Sequence, residues 1–223
     1  MPMNAVYRAP SDLAAVIPIF PLLGALLLPR GQMPLNIFEP RYVAMIDHAL
    51  ASHRLIGMIQ PDPKHPGPED KPNLFKVGCV GRITQFAESG DGRYLIQLTG
   101  IVRFRIVDEL SGTAPFRQCH VDYAPFADDF VARRGEDEVD RKAVLAALSN
   151  FLKANKLKAD WDGIQNAPNE ALVNALEMMS PYGAAEKQAM LEAPDLKTRA
   201  EILVAITEIE LVKTVTEDDT TLQ

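Results

Sequence analysis

Four histidines, two cysteines and six serines are the side chains of this 223-residue chain suited to base, metal-ligand or nucleophile chemistry. A metal site needs three or four ligands at one point, and a nucleophile needs a base within hydrogen-bond reach. His48, His53, His65 and His120 are scattered, and the five-residue spacing of His48 and His53 near a helix end does not put both rings on one face. Ser52 and His53 are sequence neighbours that do not face each other, and Ser180 before Pro181 reads as a turn or cap. Cys79 and Cys119 form no C-x-x-C pair and read as small buried apolar residues, in keeping with a reducing cytoplasm. No G-x-x-x-x-G-K-[ST], H-E-x-x-H or G-x-S-x-G pattern occurs, which excludes ATP hydrolysis of the P-loop type. Carboxylates cluster only at Asp128-Asp129 and Glu136-Asp137-Glu138, in a charged connector that reads as solvated surface. The expectation is a chain that is not an enzyme and has no metal and no cofactor. A cleft gathering Cys79, His120 and a carboxylate would overturn it.

The elements that position these groups change character part-way along. Residues 1–12 read as a flexible lead. Leu13 to Pro29 is almost wholly apolar, but Pro18, Pro21 and Gly24 interrupt it, so it reads as two buried strands rather than a signal peptide or membrane span. Val16–Phe20, Ala25–Leu28 and Met33–Phe38 are the strand candidates. Pro40 suits a first helical position, and Tyr42, Met45, Ile46, Ala49 and Leu50 recur at helical spacing. Leu55–Ile59 returns to strand. The five prolines of Pro61–Pro72 require an exposed loop. Three strands follow, Phe75–Glu88, Tyr94–Val107 and Phe116–Tyr123. Asp91-Gly92 signals a hairpin between the first two, and Gly100 marks a bulge or barrel corner.

After the connector the period becomes helical. Val144, Leu145, Leu148, Phe151 and Leu152 make one stripe, and Pro168 opens a second helix with Leu172, Val173, Leu176 and Met179 on its face. Ala184–Glu192 is a third. Asp195 caps a fourth, whose buried side is Ile202, Leu203, Ile206, Ile209 and Val212, before a polar tail at Glu217–Gln223. The fold class is therefore α+β, with a β-rich domain over residues 1–126 and a helical one over residues 127–223. Charge divides similarly: residues 1–125 carry 12 Lys/Arg against 11 Asp/Glu, and residues 126–223 carry 11 against 19. This acidity argues against nucleic acid as a partner.

The run Phe38-Glu39-Pro40-Arg41-Tyr42 joins a strand to a helix. Glu39 favours the positive helix N-terminus and Arg41 pairs with a nearby acid, or Arg41 clamps a carboxylate of a bound chain.

Ile17-Pro18-Ile19-Phe20-Pro21-Leu22, Leu28-Pro29-Arg30-Gly31 and Pro34 through Tyr42 resemble the N-terminal domain of Lon proteases. Gly78 to Ile83, Asp91 to Phe104 and Glu186 to Glu192 are similar to its later strands and to the helical segment of stand-alone bacterial members. The resemblance implies a PUA-like β-rich pseudo-barrel followed by an α-helical bundle, and a role in recognising protein substrates. In full Lon proteases an ATPase and a serine-lysine peptidase module follow this region, and this chain is expected to lack both. The resulting expectation is a non-catalytic, cytoplasmic substrate-binding domain for protein or unfolded peptide segments. An extended segment would lie on a β-domain edge or in an apolar cleft between the domains, with Phe38, Arg41 and Tyr42 as contact residues and Pro61–Pro72 as a lid. The alternative is an RNA-binding PUA-like module using Arg82, Arg93, Arg103 and Arg105 for charge and Tyr94 or Phe104 for stacking.

Overall fold

A computed structural model describes residues 5–155 and 157–220, with side chains up to Val212. The chain divides into two compact units, Met1–Ala132 and Arg133–Gln223.

The first unit contains six strands and one helix in the order β1 (Val16–Pro21), β2 (Gln32–Ile37), α1 (Pro40–Ala51), β3 (Leu55–Ile59), β4 (Val77–Glu88), β5 (Tyr94–Glu109) and β6 (Arg117–Asp122). Their sheet order is β2-β5-β4-β3-β1-β6, and β5 also pairs with β6. At 16 residues, β5 is long enough to serve two partners on one edge. Its first half pairs with β2, from Gln32↔Thr99 to Ile37↔Tyr94, and its second half with β6, from Arg105↔Asp122 to Glu109↔Cys119. The opposite edge of β5 lies along β4. The ring β5-β4-β3-β1-β6 is thereby closed, which is the pseudo-barrel that the family resemblance implied.

The change of partner is built around Gly100. Register along β4 steps from Val80↔Val102 to Gly81↔Gly100 and skips Ile101, so a bulge bends β5 there. The Arg30 N–H donates to Gly100 O and the Gly100 N–H to Gly31 O, both at 2.8 Å. Ala25–Leu28, expected as a strand, is instead part of the loop between β1 and β2. Its apolar side chains are needed as core filling: Leu26, Leu27 and Leu28 are buried with Ile17, Ile19, Ile56, Val80, Leu98 and Phe104.

In α1, Tyr42, Met45, Ile46 and Ala49 face inward at the spacing of one helical stripe. Arg54, in the left-handed region at φ 60°, ends the helix by donating its N–H to Ala49 O at 2.7 Å. A buried ion pair fastens the end of the unit. Arg103 donates Nε to Asp129 Oδ2 and Nη2 to Asp129 Oδ1, each at 2.9 Å, and its guanidinium lies 4.7 Å from the centre of the Phe126 ring. This ties the 3-10 segment Ala124–Phe130 to β5.

The second unit contains α2 (Arg141–Ala154), α3 (Trp161–Asn166), α4 (Asn169–Met179), α5 (Ala184–Glu192) and α6 (Leu196–Thr220). Val144, Leu148, Leu172, Val173, Met190, Ala200 and Leu203 form its core. The Asp195 carboxylate caps α6 by accepting the Thr198 N–H at 2.7 Å. The short α3, which the apolar periodicity does not signal, is held by Arg141, whose guanidinium donates to the carbonyls of Ile164, Gln165 and Ala167. Three residues expected on buried faces point outward instead: Met179, Ile209 and Val212 are exposed. Of the expected terminal segments, residues 1–4 and 221–223 lie outside the described residues. The α6 backbone continues to Thr220, and Pro10–Asp12 form a 3-10 turn.

Candidate functional site

Glu39 occupies the N-cap of α1, but its carboxylate makes no cap hydrogen bond. It accepts Arg41 Nε at 2.9 Å instead, so the acid that pairs with Arg41 is its near neighbour in sequence. The Arg41 guanidinium also lies 4.7 Å from the centre of the Tyr42 ring, which packs on Phe20 with ring centres 4.3 Å apart. Burial raises the Tyr42 phenol above its ordinary pKa, and the Arg41 charge offsets part of that rise.

Arg41 and Tyr42 line a cleft of about 160 Å³ together with Ile19, Pro61, Glu69, Asp70 and Phe116. The Pro61–Pro72 loop forms one wall. Its base is fastened by a Pro61↔Leu74 bridge and by the Asp62 N–H donating to Asn73 O. Arg117 donates to Pro72 O at 2.6 Å and holds Glu109 through two hydrogen bonds. Burial works to raise the Glu109 carboxyl, but Arg117 and Lys71 outweigh it and keep the group below its ordinary range. Phe38 is not part of this cleft. It is exposed at the end of β2, so the three residues singled out from the sequence do not meet at one point.

A second concavity, an open trough of about 580 Å³, runs across β2, β5 and β4. Cross-strand register aligns Pro34, Gln97 and Gln85 in one row and Asn36, Leu95 and Ala87 in the next. Exposure alternates along Gln32, Pro34, Asn36 and Phe38, so Phe38 continues the outer row of β2. Leu95 is 51% exposed on this face, whereas Phe86 belongs with Ile96 to the opposite face, where it stacks edge-on against Tyr94 at 4.9 Å. None of the nine described residues lining the trough is charged, although 24% of the chain is. The outer edge of β2 is a poor template for another strand. Pro34 has no N–H, and its place in an unbroken ladder puts its nitrogen on the edge away from β5.

The other constellations suggested by the sequence do not form. Cys79 is buried, whereas the side chain of His120 is on the surface with Nδ1 3.1 Å from Asp108 Oδ2. On β6 it is Cys119 that faces inward. For RNA contact, Arg82 and Arg103 are buried and hydrogen-bonded, Phe104 is fully buried, and Arg93 pairs with Asp91. No group of three His, Cys, Asp or Glu placed to hold a metal occurs among the described residues. No helix among them is long and apolar enough to cross a membrane.

Residues 16–208 match the family model of the ATP-dependent protease La (LON) substrate-binding domain. The chain belongs to this family. It is 30% identical over 205 residues to Lon protease 2 of Sorangium cellulosum, covering 88% of this chain and 25% of that protein. It is 26% identical to the Lon protease of Escherichia coli K12, with 87% and 25% covered. The chain thus spans about a quarter of the length of these relatives. Two solved structures share the fold at 20% identity: the Lon N-terminal domain protein of Xanthomonas campestris, with a TM-score of 0.61, and the N-terminal domain of Mycobacterium avium complex Lon protease, with 0.63. Each match covers 86% of this chain and 98% of the other. In this Lon substrate-binding domain the trough was missed at the sequence level. Its signal was the lack of charge in Pro34–Phe38, Gln85–Ala87 and Leu95–Gln97, three segments that only strand register brings side by side.

Proposed function

We propose that this chain is a non-catalytic recognition module that holds extended, uncharged segments of unfolded proteins in the trough of β2, β5 and β4. The observation that carries this reading is the uncharged trough floor, with Leu95 exposed beside the amides of Asn36, Gln85 and Gln97. Side-chain amides both donate and accept, so they suit the backbone of any extended chain whatever its sequence. Covering the half-exposed Leu95 contributes on the order of 1 kcal/mol, and further apolar contact along the uncharged floor adds to it. Pro34 turns the partner away from strand addition and onto the face of the sheet.

Phe38 belongs to the rim of this trough. Arg41 and Tyr42, in the separate cleft, would take a carboxylate of the bound chain. The Arg41–Glu39 pair is half-exposed, so exchanging one carboxylate for another costs roughly 0–1 kcal/mol. The module works in the cytoplasm as a holder of segments.

Fluorescence anisotropy with labelled, reduced and carboxymethylated lactalbumin, a permanently unfolded probe, tests this. Binding is expected to change less than twofold between low and high salt, to weaken at least tenfold in Leu95→Asp, and to weaken slightly in Arg41→Ala. Equal binding of the native, disulfide-intact probe, or an unchanged affinity in Leu95→Asp, would refute the trough as the site.

A further inference from the structure

The helical unit carries a second surface of opposite character. A groove of about 260 Å³ lies between α2 and α6. Its floor is Ala143, Val144, Ala200, Val204 and Ala205. Three acids border it: Asp140 at the start of α2, and Glu201 and Glu208 on α6. No cation among the described residues lines it. Four residues beyond Ala205 and Glu208, the same face of α6 presents Ile209 and Val212, which are 55% and 65% exposed. Apolar surface and negative charge therefore run together along one face. This lies in the part of the chain where 19 acids stand against 11 bases.

We propose that this face docks a basic amphipathic helix of a partner protein. Alanines on the floor let a helix approach closely and seat its apolar side chains between α2 and α6. Lysines or arginines flanking that stripe would meet Glu201 and Glu208 on one side and Asp140 at the end. Asp140 also caps α2 by accepting the Ala143 N–H at 3.1 Å. The three like charges repel an acidic helix of the same shape, so the groove selects by sign as well as by apolarity. The trough discriminates by lack of charge, and this groove by the presence of positive charge.

The test uses the full chain and two labelled amphipathic peptides with the same leucine stripe, one with lysine on its polar face and one with glutamate. The lysine peptide is expected to bind at least tenfold more tightly, and to weaken tenfold or more as salt rises. The Glu201→Lys, Glu208→Lys double variant, checked for unchanged helicity by circular dichroism, is expected to reverse the preference and bind the glutamate peptide. Leu95→Asp is expected to leave lysine-peptide binding unchanged, which separates this surface from the trough. Equal binding of both peptides, no effect of the double charge reversal, or loss in Leu95→Asp would overturn the proposal. So would self-association of the chain in sedimentation that the double variant abolishes, since the occupant would then be a second copy.

Discussion

A Cβ built on Gly100 would stand 2.0 Å from the carbonyl oxygen of Leu28, and that oxygen belongs to backbone fixed by two hydrogen bonds to Gly100 itself. The loop before β2 therefore presses on β5 where β5 bends and changes partner. Gly100→Ala is expected to cost roughly 3 kcal/mol or more, because neither backbone can yield without opening the ladder. Gly112→Ala, where an added Cβ meets nothing within 4 Å, is expected to stay within about 0.5 kcal/mol of the parent. Urea denaturation of both variants makes the comparison.

Breaking the buried Arg103–Asp129 pair has a different signature from removing it. Asp129→Asn leaves a guanidinium at 4% exposure facing a neutral amide, and is expected to destabilise by about 3–5 kcal/mol. The double variant Arg103→Met, Asp129→Leu is expected to recover most of that loss, since the cost lies in the stranded charge. Guanidinium denaturation with tryptophan-independent detection, such as far-ultraviolet circular dichroism, reads both. A double variant no better than the single would contradict this account.

Both thiols are expected to be silent in the native state. Cys79 and Cys119 are 1% exposed, and burial, with the Glu109 charge adding to it, pushes the Cys119 thiol up to about 11. Ellman's reagent at pH 8 is expected to find no thiol within minutes in the folded protein and two after denaturation. Rapid native labelling of either would show that the barrel opens far more readily than its packing indicates.

His53 is expected to make the first unit acid-sensitive near neutrality. Burial, and secondarily the charge of His48, lower its pKa below 6.5, and its Nδ1 accepts the Leu55 N–H at 3.2 Å, which a protonated ring cannot do. The unfolded chain then binds the proton first. Stability is fully present above about pH 6.5 and is lost progressively as pH falls from there toward the lower folded value. His53→Asn keeps an acceptor without the titration, so its stability should be flatter between pH 7 and pH 5. A parallel pH profile for the two proteins would sink this assignment.

Elements with one dominant signal were legible before the structure. Pro40 and the stripe from Tyr42 to Ala49 placed α1, Gly100 marked the bulge, and Ala184–Glu192 was read with the bounds the structure has. Ala25–Leu28 was misread because burial and strand pairing give the same apolar run, and only the packing of Leu26–Leu28 into the barrel distinguishes them. Met179, Ile209 and Val212 obey helical spacing yet face outward, because periodicity fixes a stripe but not where its burial ends. Phe38, Arg41 and Tyr42 lie within one five-residue run, but the turn from β2 into α1 sends Phe38 to the outside and Tyr42 to the core. The trough was hidden for the converse reason: its rows join residues about sixty positions apart.

The closing strands of the barrel also set a timetable. Val16 pairs with His120, so β1 waits for more than a hundred further residues before one of its edges is covered. At roughly 5–20 residues per second of synthesis, that wait is on the order of 5–20 s. Throughout it the most apolar stretch of the chain has no finished barrel to enter. A module proposed to hold the exposed segments of other proteins begins its own life as one.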